Sequence, residues 1–154
     1  MAKPKTASWS KLYISVGDGA TPTEAFVRQC GLTSKGISFT SDVADVAVPD
    51  CDNPDEPAWS ERTVSTKSAT VSGDGVLATD HREDWDLWFQ SGVANNCRIE
   101  IDIPLADGGG YYVGRFLLTT FTINGNQDAA KLTIEVEMQS DGPVTWTDAV
   151  ALAA

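Results

Sequence analysis

The sequence predicts a mainly β (α+β) domain: an antiparallel β-sandwich or barrel with one packed α-helix, a long inter-strand loop and extended terminal arms. Three observations carry that expectation. Short runs alternate apolar and polar residues between Gly, Asp and Asn punctuation. One stretch alone has helical spacing with signals at both ends. The chain of 154 residues is long enough for one core and too short for two. A single domain over residues 1–154 is expected.

In order along the chain, Leu12, Ile14 and Val16 alternate with Tyr13 and Ser15 before Gly17-Asp18-Gly19, a first strand and its turn. After Gly36 the run Ile37-Ser38-Phe39-Thr40-Ser41 alternates again. Thr63 to Ser72 is a strand-like run of β-branched and small polar residues ending at Gly73-Asp74-Gly75. From Asp42 to Arg62 the chain passes Pro49, Asp50, Cys51, Asp52, Asn53, Pro54, Asp55, Glu56 and Pro57, with no periodicity and several breakers. It reads as a loop over about 42–62. A loop of that length in a compact domain calls for a purpose or a partner, and Trp59 near its end favours a partner.

The helix is expected over about 80–92. Asp80 is placed to cap it, Glu83 follows three residues later as in a capping box, Asp84 and Asp86 suit the positive end of the dipole, and Gly92 stops it. Trp85, Trp88 and Phe89 recur at helical spacing and define a stripe directed at the core. In the last third, Ile99, Ile101 and Ile103 alternate with Arg98, Glu100 and Asp102 before the hairpin break Asp107-Gly108-Gly109-Gly110. Tyr111 to Ile123 is a long strand and Asn124-Gly125-Asn126 a turn. On the returning strand Leu132, Ile134, Val136 and Met138 form the buried face and Lys131, Thr133, Glu135, Glu137 and Gln139 the other. An N-terminal arm over about 1–10 and a small, apolar C-terminal arm over about 148–154 are either frayed or docked on a neighbouring subunit.

Twenty-two acidic against 11 basic residues give a net charge of -11, which repels nucleic acid because phosphate binding needs Lys and Arg. Cys30, Cys51 and Cys97 cannot all pair within one chain and form no metal-ligand pattern, so reduced cytosolic thiols are the simplest reading. No apolar run is long enough to cross a bilayer and the basic N-terminus leads into no signal-like segment, so no membrane association is expected and the chain is read as cytosolic where it is made.

Catalytic chemistry finds no footing. His81, the lone histidine, stands at a helix start among Arg82, Glu83 and Asp84, a solvated setting without a nucleophile signature. Asp50, Asp52, Asp55 and Glu56 fail the EF-hand pattern, because Pro54 and Asp55 stand where an acid or amide and then glycine are needed. No phosphate-cradling glycine motif follows a strand. Glu100 with Asp102, and Glu135 with Glu137, are pairs two apart that merely share a strand face. No catalytic residue, metal or cofactor is expected. One rival remains from the binding class: Trp9, Trp59 and Trp146 lie outside the helix and could form a stacking platform, as in a β-sandwich glycan-binding or adhesion module.

The order of these segments resembles the major tail tube proteins of long-tailed phages (siphophages). The resemblance rests on Gly36-Ile37-Ser38-Phe39-Thr40, on Ser65 to Gly75, and on Phe121-Thr122-Ile123-Asn124-Gly125 leading into Leu132 to Met138. It implies a structural virion subunit, six to a ring, whose inner sheets join across subunits around a lumen, with rings stacked into a tube that DNA passes through without specific binding. Its partners would be copies of itself and the tape measure, tip and terminator proteins; its place, a virion tail assembled in the bacterial host cytoplasm. The long loop, with Asp42, Val48, Asp50, Asp52, Asp55, Glu56, Trp59 and Arg62, would then reach a neighbouring ring. From alternation, Thr133, Glu135 and Glu137 would line the lumen, with Ser65 and Lys67 on an adjacent strand.

Overall fold

The computed structural model describes residues 2–17, 24–128 and 130–149. Its strands are β1 (Leu12–Gly17), β2 (Phe26–Arg28), β3 (Leu32–Val48), β4 (Trp59–Val76), β5 (Asn95–Ile101), β6 (Gly110–Gly125) and β7 (Leu132–Asp148), with one helix, α1 (Arg82–Ser91), between β4 and β5. They form one seven-stranded sheet in the order β2-β1-β5-β6-β7-β4-β3. All neighbouring pairs are antiparallel.

The sheet folds over on itself. Phe39 on edge strand β3 meets Tyr112 on β6 with ring centroids 5.1 Å apart, and the Ile14 side chain on β1 reaches Gly73 on β4, with three strands between them in the sheet order. Gly73 accommodates that closure, since a Cβ there would sit 3.1 Å from Leu32 and 3.5 Å from Ile14. The inner surface is closed by Ile14, Val71, Ile99, Phe116, Val136 and Met138, all at 3% exposure or less. Burial of this kind, at about 25 cal/mol per Å² of apolar surface, is what holds the fold.

The segment expected as a loop over 42–62 is mostly paired. β3 and β4 stay paired from Asp42 opposite Thr66, through a one-residue slip at Ser65, to Val48 opposite Trp59, leaving only 49–58 as the connection. β4 joins β7 over Thr70–Val76, and the Ala69 amide still donates to the Ser140 hydroxyl at 2.9 Å; beyond it, residues 59–68 have β3 as their one ladder partner among the described residues and project as a two-stranded arm. At about 3.3 Å per residue the arm is roughly 35 Å long. Alternation fails to announce it because neither face of the ribbon is buried, so nothing selects apolar residues every second position.

α1 is shorter than the predicted span. Asp80 does not cap it: Asp80 belongs to a preceding 3₁₀ turn, Thr79–His81, and His81 occupies the N-cap position without a side-chain hydrogen bond. Gly92 ends the helix as expected, at φ 64°, a left-handed conformation that suits glycine. Trp85 and Trp88 are 4% and 5% exposed and stack with centroids 5.8 Å apart. The Trp88 Nε1–H donates to the Val93 carbonyl at 2.9 Å. Phe89, one residue or about 100° further round the helix, is 46% exposed, so the buried stripe is Trp85 and Trp88 without it. Ile103 also falls outside β5, in the connection to β6. The N-terminal arm touches the body through Lys5 and Asp107, 3.2 Å apart, and the expected turn at Asp18-Gly19 and most of the C-terminal arm lie outside the described residues.

Candidate functional site

Strand alternation on β7 buries Ile134, Val136 and Met138 and turns Thr133, Glu135 and Glu137 to the opposite face. The register carries that face sideways. Glu135 lies opposite Asp74 on β4 and Thr122 on β6; Glu137 lies opposite Ser72 and Thr120. Across β4, Asp74 pairs with Ser34 and Thr70 with Ser38 on β3. The result is a four-stranded surface of hydroxyls and carboxylates, with Ser34, Ser72, Asp74, Thr120, Glu135 and Glu137 around a groove of about 300 Å³. Among the described residues Asp74, Glu135 and Glu137 take part in no ion pair.

Ser65 and Lys67 do not belong to this surface. Lys67 shares the parity of Ala69 and Val71, which face the core, so it lies on the core side of β4, away from the polar surface. Ser65 sits at the irregularity where the β3–β4 register slips, and its hydroxyl donates to the Asp42 carbonyl at 2.9 Å. Sequence reasoning missed Ser34, Ser38, Thr70, Ser72 and Asp74. The signal was present: Ser68, Thr70, Ser72 and Asp74 alternate with Ala69 and Val71.

Basic side chains gather elsewhere. Arg28 lies over the Tyr13 ring at 4.0 Å and pairs with Glu100 at 2.8 Å. The hydrogen bond to Glu100 holds the Arg28 guanidinium charged above its ordinary range. Arg98 lies over Phe26 at 4.0 Å and Tyr111 at 4.7 Å. Lys35, opposite Gly73 in the register, lies near the rings of Tyr13 and Trp9. Charge is thus segregated along the sheet: unpaired carboxylates stand on the outer surface of β4 and β7, and arginines over aromatic rings on that of β1, β2 and β5.

The arm carries the residues expected to make stacking contacts. Asp42, Val48, Trp59 and Arg62 stand on its strands, and Asp50, Asp52, Asp55 and Glu56 on its tip. Arg62 pairs with Asp45 at 3.1 Å and Thr66 donates to Asp42 at 3.0 Å, cross-strand links that hold the ribbon together. The Asp52 amide donates to the Asp50 carboxylate at 3.0 Å, ordering the tip. Val46, Val48 and Trp59 share one face of the arm by register and are exposed, Trp59 at 89%.

His81 is more enclosed than the solvated residue expected, with its side chain 20% exposed and Nδ1 3.7 Å from Asp84. Among the described residues no group of three or more His, Cys, Asp or Glu is placed to hold a metal. Trp9, Trp59 and Trp146 do not assemble into a platform. Trp146 packs edge-on against Tyr112 at 4.7 Å and Trp9 lies by Lys35, both on the body, while Trp59 stands at the far end of the arm.

A β subunit with a face of unpaired carboxylates, a projecting arm with exposed apolar residues and unpaired sheet edges has the features of a structural protein that contacts other chains. The family model for phage tail tube proteins matches residues 7–146, and the chain belongs to that family. Its role is that of a structural tail tube protein rather than a glycan-binding module. Among solved structures it is similar to a chain in the tail of an empty gene transfer agent particle refined with six-fold symmetry, at 23% identity and TM-score 0.74, covering 92% of this chain and 99% of that one. The tail tube of SPP1 matches at 8% identity and TM-score 0.63, covering 94% and 81%. A chain in the baseplate of the anti-feeding prophage matches at 9% and 0.63, covering 96% and 98%. These likenesses show the shared fold. No curated protein matches.

Proposed function

We propose that six copies join edge to edge into a ring, that the face of Asp74, Glu135 and Glu137 lines its bore, and that rings stack into a tube through which DNA passes without specific binding. The observation that carries this reading is that face, on which Asp74, Glu135 and Glu137 stand among hydroxyls and take part in no ion pair among the described residues. A bore dominated by carboxylates and hydroxyls repels phosphate and offers little to stall a moving duplex. A conduit of this kind needs no reaction, and the subunit is not an enzyme.

The edges supply the closure. Residues 117–125 of β6 have β7 on one side and no strand on the other, because β5 stops pairing at Asn95 opposite Phe116. β3 is the outermost strand at the opposite margin of the same four-stranded surface. Pairing β6 of one copy with β3 of the next satisfies both rows of backbone groups, and repetition by rotation closes a barrel. The structural neighbour with six-fold symmetry favours six copies. The tape measure, tip and terminator proteins are its partners in the virion tail, which assembles in the host cytoplasm.

Negative-stain electron microscopy of the purified protein at high concentration tests the reading. Hollow tubes or six-fold rings are expected; assemblies without a central channel would refute it.

A further inference from the structure

An apolar cleft of about 450 Å³ opens between α1 and the β1–β2 edge, lined by Val16, Val27, Gln29, Trp85, Leu87 and Trp88. Leu87 is 60% exposed at its rim. Within it Gln29 is buried to 8% exposure: its Nε2 donates to the Val27 carbonyl at 3.2 Å, while its Oε1 has no hydrogen-bond partner among the described residues. A buried acceptor left unpaired costs about 1–3 kcal/mol, so the cleft suits a ligand that is apolar apart from one N–H donor.

The arm carries such a group. Trp59 has an apolar indole body, one N–H, and almost complete exposure. We infer that Trp59 of one copy, flanked by Val46 and Val48, docks in the α1 cleft of a copy in the adjacent ring, its indole N–H directed at Gln29. The inference rests on the tube reading and names the receiving surface for the arm.

Geometry excludes the chain's own arm as occupant. Ile14 packs beside Gly73, and the cleft residue Val16 follows two positions along β1. From Gly73 to Trp59, β4 runs extended, on the order of 45 Å at about 3.3 Å per residue. The cross-strand pairs down to Val48 opposite Trp59 keep the ribbon from folding back. Donor and acceptor surfaces at opposite ends of one subunit make a head-to-tail contact, which propagates as an open polymer. An isolated two-stranded ribbon is marginal in water, so the arm gains stability from being covered.

Disulfide trapping tests this in assembled protein. In a parent carrying Cys30→Ser and Cys51→Ser, Val48→Cys is combined with Leu87→Cys, which retains Trp59 as the anchor. Oxidised tubes should give a ladder of linked subunits on a non-reducing gel, absent from either single variant and from a control pairing Val48→Cys with Leu105→Cys. Trp59→Phe, which retains the ring and loses the N–H, should raise the concentration needed for tubes by roughly fivefold to tenfold, the worth of one hydrogen bond. Parent tubes with no Val48/Leu87 ladder, or with a ladder through Leu105, would overturn the docking site and leave the tube reading standing. A parent that forms neither rings nor tubes would overturn the tube reading, and the docking with it.

Discussion

Asp74 on β4 and Glu135 on β7 stand directly opposite one another on the polar face, two carboxylates across one ladder with no basic residue paired to either. Like charges in that relation destabilise a sheet by roughly 0.2–1 kcal/mol. Glu135→Gln should therefore stabilise the isolated subunit by about that amount, read as a higher urea midpoint at unchanged slope. The gain should shrink as salt is added. An unchanged or lowered midpoint at low salt would mean the two carboxylates do not repel.

Reversing the charge of the bore should convert a non-binding conduit into a retaining one. Tubes of the double variant Glu135→Lys, Glu137→Lys are expected to hold double-stranded DNA at low salt and release it steeply as salt rises, because each new contact displaces counterions. Parent tubes should hold none. Sedimentation of labelled DNA with preformed tubes measures both.

Removal of the arm's outer end, Val48 to Trp59, should leave a folded subunit that cannot stack. None of those residues belongs to the buried core, so the thermal midpoint is expected to stay within a few degrees of the parent. Tubes formed by the deletion variant would show that the arm is dispensable for stacking.

The thiols should divide by burial. Cys30 and Cys51 are exposed and Cys97 is fully enclosed; desolvation pushes the Cys97 thiol up from 9.0 to about 12. Two thiols per native chain are expected to react with a thiol reagent at pH 8, and a third only on unfolding. The folded state holds the Cys97 proton more tightly than the unfolded state. Its contribution to stability is thus complete below about pH 9 and is lost as pH rises toward about 12. Rapid labelling of three thiols in native protein would contradict this.

Much of the fold is legible in the sequence where one face of an element is buried. Ile134, Val136 and Met138 against Thr133, Glu135 and Glu137 gave the β7 faces directly, and Trp85 with Trp88 gave the inner side of α1. The arm reads as a loop because an unburied ribbon imposes no period on Val43, Val46 and Val48, while the prolines of the tip dominate the local signal. Lys67 was misplaced for a related reason: near the bulge at Ser65, parity counted from the arm does not match parity counted from Val71. Phe89 was overassigned because helical spacing alone cannot tell a two-residue stripe from a three-residue one when the helix packs at the margin of a sheet. The breadth of the acidic face depends on which strands lie beside β7, information carried by the sheet order and not by any one segment.

A cryo-electron microscopy reconstruction of the assembled protein tests most directly whether the face of Asp74, Glu135 and Glu137 lines a closed bore. A six-fold tube is predicted, with β3, β4, β7 and β6 of each copy forming the inner wall and the three carboxylates directed into the channel. A tube whose wall presents the Arg28 and Arg98 face inward, with Glu135 and Glu137 on the outside, would contradict it.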